Sequence, residues 1–571
     1  MSGALPSRQA PDQARPRSAA VRAGVTRLAS APGDARGAVF TAPHVVAHML
    51  DAVGYTEDRD LTACRILEPS FGDGAFLAEI ARRLVSSARR HHGSHALAER
   101  LAGRVRGVEV SARCAEQAKE RLREVLGGHC RPAEAEEIIS GWLTQDDFLL
   151  ADLGGCFTQV VGNPPYVRYD SVDPDLMDEY KARFPRTMRG RVDLYVPFFE
   201  KTLGHLAADG VHSFICSDRW MKNGYGGGLR ELIDESFHLV QFSDARHISP
   251  FVNAAAAYTA ITVIRRRAPG SGAPVTRGVR LALRGASLEQ AGQWQAVRHL
   301  GAKRRGEPFV IATPEEMAVL RRLETFPVLE DAGCKVRIGV ASGCDAVYIL
   351  QGRRDDVEAD RLLPLAMAAD VQGAKVADSD RWLVNPYDAA GNLVDLGDYP
   401  KLNAYFERHG QQLRARHVAR KKPEHWYKTI DKVSPGITGA RKLLIPDMKG
   451  RAAAAIDDGR FYPHHNLYFM TSDGDGWPLE ALRFIILSDV TNFFISHYST
   501  PVAGGCLRFQ AVCLRRLRLP PWHSLQESRK AEILSAIRAC GTDCREKADA
   551  VASLAYGLSK TERKTISGRV G

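Results

Sequence analysis

No stretch of this chain is both long and apolar enough to span a bilayer, and none has the layout of a secretory signal. A membrane partner is therefore not expected. Paired metal spacing is also missing. The 11 cysteines are scattered and odd in number, without a Cys-x-x-Cys pair. That disfavours a zinc cluster or a disulfide framework, and suits reduced thiols in a cytoplasmic protein. His91-His92 sits in a polar stretch, so no metal site is expected. No internal repeat occurs, which removes solenoids and propellers.

What is present is an ordinary globular composition, 44% hydrophobic and 25% charged over 571 residues. That length suggests two or three domains around separate cores. Lys and Arg outnumber Asp and Glu by 78 to 67, for a net charge of +11. Such an excess fits a polyanionic partner without requiring one.

Residues 1–36 are rich in Ala, Arg, Pro, Ser and Gly and show no apolar period, so they read as a disordered tail. Order begins at Val39-Phe40-Thr41-Ala42-Pro43, with Thr41 as a helix cap and a short amphipathic helix to Asp51. Cys64–Pro69 is an apolar run broken by Ser70-Phe71-Gly72-Asp73-Gly74, and helical periodicity follows from Ala75 to Arg90. Strand and helix keep alternating through Val105–Glu109, Thr158–Gly162, Val211–Cys216 and Tyr258–Arg266. This pattern predicts a Rossmann-like α/β domain over residues 37–270. Ala268–Pro274 opens a linker taken as 271–300. Residues 301–522 lose the regular alternation and predict a mixed α+β domain, and 523–571 predict a helical segment.

The chemistry-bearing residues lie at predicted strand ends. Gly72 and Gly74 let backbone pass close to a bound molecule. Glu109 closes the next strand, where a carboxylate accepts from ribose hydroxyls. Glu68, before the turn, suits the amino end of a cationic methionine-type cofactor. Asp147 and Phe148 follow a third strand end and suit an adenine amino group and adenine face.

Asn163-Pro164-Pro165-Tyr166 is the most informative segment. Two prolines stiffen the backbone and remove two N–H donors, so the segment offers acceptors: the Asn163 side-chain oxygen and the Pro164 carbonyl. An amino group conjugated to a ring is a poor nucleophile because its lone pair is delocalised. Two acceptors holding its hydrogens draw the nitrogen towards tetrahedral geometry and stabilise the charge that develops in attack. Tyr166 offers an aromatic face to the target group.

Together Phe40–Pro43, Leu67–Gly74, Glu109, Asp147-Phe148 and Asn163–Tyr166 resemble the ordered motifs of gamma-class adenine-N6 DNA methyltransferases of the TaqI/Eco57I type. Asp193-Leu194-Tyr195 matches the next motif. Ile338–Asp345, Phe484–Tyr498 and Gly504–Phe509 resemble parts of that family's C-terminal specificity domain. The resemblance implies a site-specific enzyme that flips an adenine out of double-stranded DNA and methylates it from S-adenosylmethionine. It further implies that Thr41 and Pro165 join Glu68, Gly72, Gly74, Glu109, Asp147 and Phe148 in holding the cofactor. Asn163, Pro164, Pro165 and Tyr166 are the implied catalytic residues, and Phe251 stacks with Tyr166 on the flipped base. A cognate restriction endonuclease is an implied partner.

Other planar amino groups stay as alternatives: cytosine N4, an RNA base or a protein glutamine amide. Cytosine-C5 chemistry needs a nucleophilic thiol, commonly in a Pro-Cys pair, and no such pair occurs. Pro446-Asp447-Met448-Lys449 is a faint nuclease-like strand without a partner acid. The segment 408–432, with Arg414, Arg416, Arg420, Lys421, Lys422 and Lys428 among His417, Trp426 and Tyr427, reads as a phosphate-neutralising stretch.

Overall fold

The computed structural model describes residues 16–33, 35–245, 248–252, 259–268, 276–284, 287–298, 306–434, 436–474, 476–499, 506–539 and 545–570. They fall into two compact units, Met1–Pro314 and Glu315–Gly571.

The first unit is a ten-stranded sheet. Its strands are β1 (Ile66–Glu68), β2 (Val105–Glu109), β3 (Leu143–Gln145), β4 (Phe157–Gly162), β5 (Leu206–Ser217), β6 (Phe237–Asp244), β7 (Thr259–Arg266), β8 (Thr276–Arg284), β9 (Ser287–Arg298) and β10 (Ile311–Ala312). Their order is β10-β9-β8-β6-β7-β5-β4-β1-β2-β3. β3, β2, β1, β4 and β5 run parallel, and β7 is antiparallel to both β5 and β6. The order reverses between β1 and β4, and such a switch point opens a crevice at the carboxyl ends of the strands. Gly72, Glu109, Asp147, Phe148, Asn163 and Pro165 lie there.

Helices cover both faces, as parallel strands buried on both sides require. Helix Ala75–His92 buries Phe76, Leu77, Ile80, Ala81, Leu84, Val85 and Ala88, a spacing of three and four that makes one apolar stripe. Gly93, at a φ of 70°, ends it in the left-handed region. Pro174–Arg183, Tyr195–Gly204 and Gly227–Ser236 bury Tyr180, Phe199 and Leu229 in a second cluster on the other face.

Three expectations change. Residues 1–36 are not all tail: Ala19–Ser30 is a helix, with Ser18 Oγ accepting from Val21 N at 3.2 Å. Val21 and Gly24 are buried, and Val25 and Leu28 pack on the same core. Polar composition hid that short stripe. Thr41 is not a cap: Ala42 holds the N-cap position and Pro43 starts the helix Pro43–Ala52, its fixed φ suited to the first turn. The linker taken as 271–300 contains β8 and β9, an antiparallel pair whose first strand lies parallel to β6. The sheet therefore continues past residue 270. Of the linker's opening, 269–275 lie outside the described residues.

The second unit is mixed α+β. A six-stranded sheet is built on Cys334–Ile338, Leu467–Ser472 and Lys442–Pro446, and a four-stranded sheet on Arg381–Val384 and Leu362–Ala366. The C-terminal helices Arg545–Tyr556 and Lys560–Val570 pack on Leu479–Leu487 and Asp489–Tyr498, so they belong to this unit rather than forming a separate segment. No described helix is long and apolar enough to cross a membrane.

Candidate active site

The carboxyl ends of β1, β2 and β4 and the turn after β3 open onto one cleft. It is lined by Gly72, Glu109, Asp147, Phe148, Asn163 and Pro165, six of the residues named from sequence.

Glu109 sits where β2 ends. Its carboxylate accepts from Gly72 N at 3.0 Å and from Ser111 N at 2.9 Å. Burial pushes its pKa up, while these amides pull it down. Gly72 carries a φ of 53° and Gly74 one of 86°, a region open to glycine. A Cβ on Gly74 would stand 2.8 Å from Ala118, so Gly74 lets two helices approach and is not on the cleft wall.

Asp147 is buried. It accepts from the Tyr180 hydroxyl and, at 3.2 Å, from Leu150 N. Phe148 packs beside Phe198, 4.8 Å between ring centroids. Both rings line the cleft.

Asn163 terminates β4. Its Nδ2 donates to Val39 O at 2.8 Å and to Thr41 Oγ at 3.3 Å. Ser70 Oγ donates to the Asn163 carbonyl at 3.0 Å. The side-chain oxygen Oδ1 is buried without a hydrogen-bond partner. A buried acceptor in that condition costs roughly 1–3 kcal/mol, a cost removed when a donor arrives. Thr41 thus orients Asn163 and lies off the cleft wall.

Tyr166 and Phe251 meet edge to face, 6.1 Å between centroids, and neither lines the cleft. Thr41 pairs with Phe251 in an isolated antiparallel bridge, which holds that aromatic corner to the strand end. Pro164 is buried behind the turn.

Glu68 is buried beneath the glycine turn and is not on the cleft wall. Burial first, then Asp73 and Glu109, hold its pKa well above the ordinary 4.5. Between the unfolded and folded pKa the native state keeps a proton that the unfolded chain releases, so stability falls as pH rises through that window. Glu68→Gln removes the loss. In cofactor-free protein the variant should melt above the parent, by a gap that widens from about pH 5 to about pH 8. Thermal unfolding at the two pH values checks this, and a variant that melts no higher at the upper pH refutes it.

Sequence reasoning missed Leu28, Arg36, Gly37, Ala38 and Val39, which line the same cleft, as do Ser70 and Tyr180. Gly37 carried the one available signal. Its φ is 62°, and a Cβ there would stand 2.6 Å from the Tyr166 backbone. Tyr166 N donates to Gly37 O at 3.2 Å, so the N-terminal strap lies across the tetrapeptide.

In the second unit the basic segment is partly structural. Arg416 donates to the carbonyls of Ser342, Trp426 and Lys428 at 3.1, 2.8 and 2.9 Å. Arg414 lies 3.7 Å over the Trp426 ring, and Tyr427 Oη donates to Val394 O. Arg420, Lys421 and Lys422 are exposed. Asp447 is paired to Arg508, which leaves no open carboxylate for a nuclease strand. Asp345, His464 and His465 lie within 4.8 Å of one another, a grouping invisible in sequence because 119 residues separate the first two.

The family model of the Eco57I restriction-modification methylase matches residues 109–251. Over 551 residues the chain is 41% identical to the Type II methyltransferase M.XhoI of Xanthomonas vasicola, covering 94% of this chain and 99% of that one. It is 42% identical to M.PaeR7I of Pseudomonas aeruginosa over 96% of each chain. It is 38% identical to M.BstVI of Geobacillus stearothermophilus over 93% of this chain and 97% of that one. The fold is similar to that of the Type IIL restriction-modification enzyme MmeI, solved in complex with DNA, with a TM-score of 0.59, 12% identity, and 92% and 76% of the two chains covered.

Proposed function

Because the chain belongs to the Type II DNA methyltransferases of restriction-modification systems, we propose that it methylates the exocyclic N6 amino group of an adenine within a specific double-stranded DNA site, using S-adenosylmethionine. The unpaired, buried Oδ1 of Asn163 carries this reading. Val39 O and Thr41 Oγ occupy the amide nitrogen, so the oxygen is the group turned to the target. An acceptor so fixed suits an NH₂ donor. It grips the hydrogens more strongly as the nitrogen gains positive charge, so it favours the transition state over the ground state. Pro164, without an N–H of its own, supplies its carbonyl as the second acceptor.

The cleft residues fit the cofactor. S-adenosylmethionine, when bound, supplies an electrophilic methyl group on a sulfonium. Glu109, already fixed by the Gly72 and Ser111 amides, has lone pairs left for ribose hydroxyls. Asp147 accepts from an adenine amino group, and Phe148 covers the ring face. The buried carboxyl of Glu68 lies behind the turn towards the amino end. Tyr166 and Phe251 hold the extruded base by stacking, and the cost of extrusion is about a few kcal/mol. A cognate endonuclease reading the same site is the expected partner.

The product decides the reading. Incubation of the protein with duplex DNA and methyl-labelled cofactor, then digestion to nucleosides, should place the label in N6-methyladenine. Label in N4-methylcytosine, in RNA alone or in protein would overturn it.

A further inference from the structure

The cleft has a wall that the strand-end residues do not make. Leu28, Arg36, Gly37, Ala38 and Val39 supply it from the N-terminal segment. That segment is pinned at both ends. Before its helix, Arg17 forms two bonds of 2.6 Å to the Asp146 carboxylate, next to Asp147. After it, Gly37 O and Val39 O accept from Tyr166 N and Asn163 Nδ2. Within the helix, Arg27 pairs with Asp173 at 2.5 Å. A segment tied to Asp146 at one end and to the tetrapeptide at the other is part of the site's architecture.

Its charge then matters. Among the described residues lining the cleft, Arg36 is the only cation, against the acids Glu109 and Asp147. A methionine-derived cofactor brings a sulfonium, an ammonium and one carboxylate. Acidic walls suit the first two and oppose the third. A carboxylate withdrawn from water needs a strong donor or a counter-charge. Arginine meets that need with a planar fork that matches two carboxylate oxygens. Arg36 Nη1 donates to Ala29 O at 3.0 Å, near the helix C-terminus, which fixes the guanidinium at the wall. Its charge also reaches Glu109 and lowers that group's pKa.

Resting on the cofactor reading above, we propose that Arg36 is a cofactor-binding residue that receives the carboxylate of bound S-adenosylmethionine from a wall built by the N-terminal segment. The binding site then extends into residues whose composition reads as tail.

The experiment uses full-length protein and two ligands. S-adenosylhomocysteine keeps the amino-acid end, and 5′-methylthioadenosine has the nucleoside and thioether without it. By calorimetry, Arg36→Gln should weaken S-adenosylhomocysteine by about ten-fold or more and change methylthioadenosine by less than about two-fold, since the contact to the carboxylate is lost while Glu109 keeps the Ser111 and Gly72 amides that fix it. Arg36→Lys should recover part of the difference. The readout is the ratio of the two losses, which partial misfolding leaves unchanged. Equal weakening of both ligands, or of neither, overturns the assignment. Unmodified protein that binds neither ligand overturns the cofactor reading itself, and this assignment with it.

Discussion

Asn163→Ala protein should bind cofactor and duplex DNA as the parent does, yet transfer methyl groups about 10²–10³-fold more slowly. In the resting site Nδ2 is spent on Val39 O and Thr41 Oγ, while Oδ1 waits buried and unpaired. Alanine deletes the waiting acceptor and contacts nothing new. On the proposed reading, ground-state binding of the cofactor relies on Glu109, Asp147 and Arg36, and the strap that carries Arg36 stays held by the Tyr166 N–Gly37 O bond and the Arg17–Asp146 pair. The acceptor's value lies in the transition state, where the amino nitrogen turns positive, and preorganised groups at such positions contribute about 3–4 kcal/mol. The Asn163→Asp variant sharpens the point, because it keeps an oxygen but loses the donor that Val39 and Thr41 hold. It should also be severely slowed, because a carboxylate placed against Val39 O repels that carbonyl and loses the bond that orients the oxygen. Single-turnover methylation, alongside calorimetry for cofactor and gel shift for DNA, checks all of this. An alanine variant within ten-fold of the parent rate, with binding intact, would remove Asn163 from the chemistry.

The residues most readily seen in the sequence are those at punctuated strand ends. β1 and β4 announce themselves because short apolar runs stop at glycine or proline, and β2 because its run ends in the carboxylate Glu109. Gly72, Asn163 and Pro165 fall at such punctuated stops, Glu109, Asp147 and Phe148 at or just after the ends of their strands, and all six share one cleft. Backbone partners were hidden. Nothing in the letters Val39 or Gly37 says that their carbonyls hold Asn163 and Tyr166, since a carbonyl is common to every residue. Tyr180 was hidden as well, because a tyrosine at helical spacing reads as core, and only the fold brings its hydroxyl to Asp147, 33 residues away.

Composition misled in three places. Residues 19–30 look like tail because the helix buries only a narrow stripe, Val21 and Gly24, and is held otherwise by ion pairs that sequence cannot pair. The Gly- and Pro-bearing run near residue 270 looks like a domain boundary, yet the chain returns to the same sheet as β8 and β9. Arg416 looks like a phosphate ligand within a basic run, yet four carbonyls claim it, those of Leu413, Ser342, Trp426 and Lys428. In each case a local average stood in for a partner far along the chain.

That shifted boundary governs the second large effect. Cutting near residue 270 would strip three strands from the catalytic sheet, so the informative truncation ends at Pro314, where the first unit closes. Such a fragment keeps the whole cleft, since every lining residue lies between Leu28 and Phe198. It should therefore bind cofactor with near-parental affinity. It should not methylate a specific duplex site at any measurable rate. On the proposed reading, extruding an adenine costs about a few kcal/mol, and Tyr166 and Phe251 would hold the base without choosing it. The exposed Arg420, Lys421 and Lys422 in the second unit are suited to phosphates, whose contacts position a protein on DNA and support the groove readout that selects sequence. Affinity of the full chain for its site should also fall steeply with salt, with a slope of roughly −0.9 per phosphate neutralised. Methylation of a defined duplex by the two proteins, with cofactor binding measured on each, separates the roles. If the fragment marks the same site at a comparable rate, the second unit does not supply specificity, and the basic surface has another use.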